Sequence, residues 1–347
     1  MNEQIINAYD LQKSIDAELE KGRYDKVFIL TDTTTNRLCL PLLKISNARV
    51  ITIGSTDSNK NLESLTAVLT ELVDDGASRR SLLINLGGGM VCDLGGFAAA
   101  IFKRGIACMN IPTTLLAMVD ASIGGKTGIN FRRLKNEIGT FSSPVSVLIN
   151  TKFLQTLSSE DILSGYAEII KHALIYDESH WAKVLSTEIL PTKLFLEHFD
   201  LQQLVFDNVQ IKAHYVDADP YEQDIRKALN FGHTFGHAFE TFNNGEMLHG
   251  YAVAYGMTCE LYLSSVKSGF PTDKMRQTVT YIRENYGSIN LECKDYDTLI
   301  QLMQHDKKNS CSQICPILLK DIGIPIVNQP VTESEIKEAF DFLREGF

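Results

Sequence analysis

The chain has 347 residues, 44% of them hydrophobic, which suffices for a sizeable core and for more than one domain. A formal net charge of -10 argues against a broad nucleic-acid or anionic-membrane surface, while leaving room for a cleft where a few Lys and Arg focus positive potential on a small anion. Seven scattered cysteines, with Cys311 and Cys315 spaced C-x3-C and no second pair, read as reduced thiols and not as a zinc ribbon. The first ten residues lack a basic stretch followed by an apolar one, and no apolar run is long enough to span a bilayer, so a cytoplasmic protein is expected.

In chain order, short apolar runs alternate with helical spacing. Lys26 to Thr31, Arg49 to Ile53, Ser81 to Leu86, Ile106 to Ile111 and Val145 to Ile149 read as strands, and Leu62 to Leu72 as a helix. Buried strands alternating with helices imply a parallel sheet covered on both faces. From about Ser159 to Phe270 the periodicity is helical with few strand signals, and Met275 to Tyr286 and Glu333 to Arg344 are helical again. Two domains are expected, an α/β domain over 1–150 and a mainly helical one over 151–347.

The segment Leu229 to Glu240 carries the strongest chemical signal. His233 and His237 stand four apart, and His249 follows a short way downstream. On a helix this spacing stacks two imidazoles on one face, which suits a divalent metal or a ligand beside an acid/base. Upstream, Glu168, Lys171 and His172 interrupt the apolar helix Ser164 to Leu174. A buried charge needs a partner, and a dication would serve Glu168. Three protein ligands with an open position make a catalytic zinc site. Spacing leaves two ligand sets open: Glu168, His233 and His249, or Glu168 and His172 with one later histidine.

The run Gly87-Gly88-Gly89 follows a strand and opens a helix, so its backbone could approach a pyrophosphate at the helix N-terminus, although it lacks the G-x-G-x-x-G spacing. Gly124-Gly-Lys-Thr127 imitates a Walker A ending but has Asp120 where the first glycine belongs. The polar stretch holding Pro112 to Thr114, Asp120, Lys126 to Asn130 and Lys135-Asn136 reads as a substrate loop beyond the strand ends.

Long ordered blocks of this chain resemble the 3-dehydroquinate synthase family, from about Asp32 to Ile322. They include Gly87 to Phe97, Lys103 to Ile106, Ile111 to Asn130, Lys135 to Gly139, Gly165 to Lys171, Arg226 to His237, His249-Gly250 and Asp306 to Lys308. The resemblance implies an N-terminal Rossmann-like domain binding NAD, a mainly α-helical C-terminal domain carrying Zn2+ or Co2+, and a homodimer. It implies conversion of 3-deoxy-arabino-heptulosonate 7-phosphate to 3-dehydroquinate and phosphate. The implied steps are oxidation, phosphate elimination, reduction and intramolecular aldol closure, a lyase reaction of the shikimate pathway and aromatic amino acid biosynthesis.

The family's site residues carry over onto matching positions. The metal ligands become Glu168, His233 and His249, with His172 structural. Asp120 and Lys126 would hold hydroxyls near the metal, and Lys171, Lys212, Arg226 and Asn230 would line the same pocket. Arg226 suits a carboxylate because its planar fork bonds bidentately. Arg104 (from the partner subunit), Asn136, His237 and one or both of Lys307 and Lys308 would surround the phosphate, His237 with a catalytic part. For NAD, the positions are Gly89, Met90, Val91, Cys92, Asp93, Thr113, Thr114, Lys126, Lys135 and Phe153-Leu154-Gln155-Thr156, with Asp32, Asp57 and Lys60 on the adenosine side.

Three departures from the family pattern stand out. The usual His-Gly-Glu is His249-Gly250-Tyr251 here, and losing a carboxylate beside a ligand histidine is expected to weaken metal affinity. The usual Asp-Gly-Glu-x-x-Lys is Ser55 to Lys60, with Asp57 standing in. Cys92 replaces a small residue and is expected to crowd the pyrophosphate. The rival readings are a sibling cyclase acting on a carboxylate-free sugar phosphate, an NAD- and metal-dependent polyol dehydrogenase, and a scaffold whose metal site has decayed. Retention of Lys212, Arg226 and Asn230 together disfavours the first.

Overall fold

A computed structural model describes residues 3–132, 134–190, 192–197, 201–304 and 313–346. The chain divides into two compact units, residues 1–158 with 199–213, and residues 159–198 with 214–347. The position expected for a boundary, Asn150, falls inside the first unit, and the chain returns to that unit at 199–213.

In the first unit the described elements are β1 (Gln4–Asn7), α1 (Leu11–Gly22), β2 (Val27–Asp32), α2 (Thr33–Leu38), β3 (Arg49–Ile53), α3 (Leu62–Asp74), β4 (Leu82–Gly87), α4 (Gly89–Ile101), β5 (Ala107–Pro112), β6 (Lys126–Phe131), β7 (Leu134–Phe141) and β8 (Ser146–Ile149). Six strands form a parallel sheet in the order β1-β8-β5-β4-β2-β3. Every residue of β4 is buried, as expected of a central strand packed on both faces. Helix α4 is apolar nearly all round because it lies against the sheet. A Cβ on Gly95 would come within 1.9 Å of Asn85 Oδ1 and 2.8 Å of Leu30 Cδ2, so glycine sets how close α4 can lie. Phe28, Leu30, Ile51, Leu83, Val91 and Leu94 share one apolar core.

From Lys126 onward the stretch read as a loop is instead an antiparallel hairpin, with Lys126 opposite Phe141 and Phe131 opposite Leu134. β7 is largely exposed, β6 is partly buried, and both mix polar residues and glycine with the apolar ones, so no clear apolar run marks them. β1 lacks such a signal as well, being short, at the sheet edge and only half-buried.

The second unit is helical: α5 (Ser159–Tyr176), α6 (Glu178–Leu185), α7 (Thr192–Leu196), the end of α8 (Leu201–Ala218), α9 (His233–Phe242), α10 (His249–Ser268), α11 (Thr272–Tyr286), α12 (Tyr296–Gln304) and α13 (Glu333–Glu345). A small hairpin, β9 (Leu318–Asp321) with β10 (Ile324–Ile326), interrupts them. Helix α5 is buried without a break from Ile162 to Ile175, charged residues included. Among the described residues no helix is long and apolar enough to cross a membrane.

Candidate functional site

Three helices of the second unit converge through missing side chains. On α10, a Cβ at Gly250 would fall 1.9 Å from the Ser164 carbonyl oxygen of α5, and the Gly250 N–H donates to Ser164 Oγ at 3.1 Å. Glu168 follows Ser164 by one helical turn, and His249 precedes Gly250, so this contact sets carboxylate beside imidazole. Also on α10, a Cβ at Gly256 would fall 1.9 Å from the Gly232 carbonyl oxygen. Gly232 caps α9 with φ +81°, and its N–H donates to the buried Glu260 at 2.7 Å. The next residue, His233, therefore enters the same space.

The result is a Glu168–His233–His249 cluster whose ligand atoms all lie within 4.8 Å of one another. Glu168 Oε1 stands 3.7 Å from His233 Nε2 and 3.5 Å from His249 Nε2. This oxygen is buried and accepts no hydrogen bond. His233 Nδ1 donates to the Phe231 carbonyl at 3.2 Å, and His249 Nδ1 faces Glu240 Oε2 at 3.5 Å. Each imidazole thus has an acceptor behind it and presents Nε2 forward. A buried oxygen lacking a donor and two imidazole nitrogens form the mixed donor set of a zinc or cobalt site.

Charge in the cluster is tightly balanced. Burial opposes ionisation of Glu168, but Lys171, His249 and His233 outweigh it and hold the carboxyl well below its usual range. Lys171 pairs with Glu168 through Oε2, leaving Oε1 to face the histidines. Desolvation opposes protonation of His249, yet Glu168 and Glu240 raise its pKa to about 9.

Glu168, His233 and His249 lie together, and His172 also has a ring nitrogen within 4.8 Å of a Glu168 oxygen. His237, the i+4 partner of His233, is a neighbour only, its ring centroid 5.4 Å from that of His233 and 6.3 Å from that of His249. His172 is fully buried on α5. Arg226 is buried, and its Nη1 donates to the Pro220 carbonyl at 2.7 Å. Asn230 donates to Glu222 at 2.6 Å. Lys307 and Lys308 lie outside the described residues. Glu240 and Glu260, which support the two histidine positions, escaped the sequence reading. The available signal was two carboxylates inside otherwise apolar helices, with no spacing rule tying either one to a histidine.

In the first unit, β4 ends at Gly87 and α4 begins at Gly89 with no side chain capping its N-terminus, which leaves its first N–H groups for an anion. A Cβ at Gly88 would meet Thr114 Cγ2 at 3.2 Å, and one at Gly89 would meet Ala121 Cβ at 3.0 Å. Met90, Val91 and Asp93 follow within the first turns of α4. Cys92 does not crowd this turn: it is buried, with its thiol toward the Gly87 carbonyl at 3.8 Å. Thr113 is buried and its N–H donates to Gly87 O, while Thr114 Oγ1 accepts from the Ala117 N–H.

Lys60 is buried between Asp93, at 2.5 Å, and Asn136. Burial raises the Asp93 pKa, and Lys60 works against that rise. Asn130 donates to Asp57 Oδ2 at 2.9 Å, and its own Oδ1 accepts from the Asn136 N–H at 3.0 Å. The hairpin is thereby tied to the Asp57–Lys60 turn. Lys212 donates to both the carbonyl and Oδ1 of Asp120 at 2.5 Å. Asp32 already uses Oδ1 to cap α2, accepting from Thr34 and Thr35. Arg104, Lys126 and Lys135 are exposed, and Arg104 has φ +67°. Phe153 and Leu154 are fully buried and offer only backbone, whereas Gln155 is exposed and Thr156 half-buried.

These features define a class: a chain with a parallel-sheet unit whose glycine turn opens a helix, and a helical unit carrying a Glu–His–His cluster. Family models match in succession, "3-dehydroquinate synthase N-terminal" over residues 50–164 and "3-dehydroquinate synthase C-terminal" over 165–309. The chain belongs to the 3-dehydroquinate synthase family. A 3-dehydroquinate synthase of Parabacteroides distasonis is 49% identical, covering 100% of this chain and 99% of that one. A 2-epi-5-epi-valiolone synthase from Streptomyces hygroscopicus, with NAD+ and Zn2+ bound, is similar at TM-score 0.78 and 25% identity, covering 92% of this chain and 90% of that one. A 2-deoxy-scyllo-inosose synthase complexed with carbaglucose-6-phosphate, NAD+ and Co2+ shares the fold at TM-score 0.80 and 22% identity, over 96% and 94% of the two chains.

Proposed function

We propose that this chain converts 3-deoxy-arabino-heptulosonate 7-phosphate to 3-dehydroquinate and phosphate, by oxidation, phosphate elimination, reduction and intramolecular aldol closure. The observation that carries the reading is the buried Glu168–His233–His249 cluster, with an oxygen lacking any donor, in a member of this family. A dication held there supplies Lewis acidity and orientation, and NAD held at the start of α4 supplies the hydride acceptor and donor. Glu168, His233 and His249 would hold the metal. Gly89 to Asp93, Thr113, Thr114 and the backbone of 153–156 would hold NAD, with Asp32, Asp57, Lys60, Lys126 and Lys135 around it.

The chain's own residues then have distinct work. Lys171 keeps Glu168 ionised, so that the carboxylate remains a ligand and does not act as an acid. Arg226, anchored by its bond to Pro220, offers its fork to the substrate carboxylate, with Asn230 and Lys212. Asp120 and Lys126 serve substrate hydroxyls. Arg104, Asn136, His237 and Lys307 or Lys308 serve the phosphate, and His237 holds the proton at its oxygen. The protein acts as a homodimer in which Arg104 serves the partner's site. A cytoplasmic setting accords with the free thiols of Cys39, Cys92, Cys108, Cys259, Cys293 and Cys315.

Purified protein given NAD, zinc and the heptulosonate phosphate should release phosphate without net NADH formation. The product should become an absorbing enone on adding 3-dehydroquinate dehydratase. No phosphate release defeats the proposal. Equal turnover of carboxylate-free heptulose phosphates would favour a sibling cyclase, and stoichiometric NADH a polyol dehydrogenase.

A further inference from the structure

A metal-binding imidazole must keep one nitrogen free of hydrogen, and an acceptor behind the other nitrogen enforces this. For His233 that acceptor is the backbone carbonyl of Phe231. For His249, the first residue of α10, a carboxylate faces that nitrogen, Glu240 Oε2 at 3.5 Å from Nδ1. Glu240 is buried on α9, two helical turns after His233, so one helix delivers both a ligand and the carboxylate behind the next ligand. The close approach of α9 and α10 makes this possible: a Cβ at Gly236 would meet the Ala252 carbonyl oxygen at 3.1 Å and Val253 Cα at 3.2 Å.

Tyr251 occupies the position where a neighbouring carboxylate was expected. Its ring packs edge-on against Tyr286 with centroids 5.2 Å apart, so an aromatic contact places this side chain.

We propose that Glu240 is the residue that positions His249, holding hydrogen on Nδ1 and turning Nε2 toward the cation, and that residue 251 takes no part in metal binding. The inference rests on the metal reading above. Apo protein is titrated with zinc against a chromophoric chelator, and the visible spectrum of the cobalt form is recorded. The variants are Glu240→Ala, Glu240→Leu (which fills the space without an acceptor), Glu240→Gln and Tyr251→Glu. Glu240→Ala and Glu240→Leu should weaken zinc about 10- to 100-fold and shift the cobalt bands. Glu240→Gln, whose amide oxygen still accepts from Nδ1–H, should recover most of the affinity, and Tyr251→Glu should stay within about twofold of the parent. Parent-like affinity in both the Ala and Leu variants overturns the inference, as does a gain of about tenfold in Tyr251→Glu. Failure of the parent protein to bind zinc at all would instead defeat the metal reading itself.

Discussion

Glu168 is held from two sides, its Oε2 by Lys171 and its Oε1 by two imidazoles. Removing its charge should therefore damage both the metal site and the fold. Glu168→Gln leaves Lys171 buried beside a neutral amide, and breaking a buried pair in this way costs about 3–5 kcal/mol. We expect the variant to lose zinc and to show a clearly lower midpoint in denaturant unfolding; unchanged unfolding would show that Lys171 finds compensation elsewhere. The two histidines of α9 should part company in mutation. His233→Ala should abolish metal content together with turnover. His237→Ala should keep the metal, measured by plasma mass spectrometry, and lose turnover by about 10²-fold as expected for a proton-handling group. Equal loss of metal in both would contradict the separation of their roles. From spacing alone these two histidines looked like a pair. Glu168 Oε1 instead faces His233 and His249, because α9 opens at His233 and α10 opens at His249, a relation that only tertiary packing creates.

At the scale of elements, the site depends on how closely α5, α9 and α10 approach. Gly256→Ala would put a methyl group 1.9 Å from the Gly232 carbonyl oxygen and 2.8 Å from the Gly236 nitrogen, both backbone atoms that cannot swing away. Overpacking of this kind costs about 1–3 kcal/mol, and here it should also draw His233 away from His249. The variant should melt lower and bind zinc more weakly than Gly269→Ala, where no atom lies within 4 Å and only the left-handed backbone (φ +75°) is strained. Equal zinc affinity in the two would show that the helix contact does not set the ligand geometry. The elements themselves were unevenly legible. The parallel strands and long helices stood out because strands buried on both faces form unbroken apolar runs and buried helices keep a steady period. The β6–β7 and β9–β10 hairpins did not, the first being rich in polar residues with β7 largely exposed, the second short and broken by a register shift. The glycines that bring the helices together could not be told from ordinary turn glycines without their neighbours.

For the whole molecule, the family relationship runs through both units, and the sheet unit and the helical unit each carry part of the residues assigned here. The resemblance, not periodicity, selected His249 as third ligand; the ligand atoms of the three side chains lie within 4.8 Å of one another. The proposed homodimer, with Arg104 serving the partner's site, makes a separate prediction. Arg104→Ala and His233→Ala proteins, each inactive alone, should regain about a quarter of parent activity after subunit exchange, because half the dimers are mixed and each has one complete site. No recovery after proven exchange would place Arg104 in its own subunit's site. The central claim, that one carboxylate and two imidazoles grip a single dication, is tested most directly by X-ray absorption at the zinc edge of the loaded protein. A nitrogen and oxygen shell at about 2.0–2.1 Å, with the outer scattering of two imidazoles, is the predicted result. A sulfur shell at about 2.3 Å, or a spectrum without imidazole scattering, would contradict it.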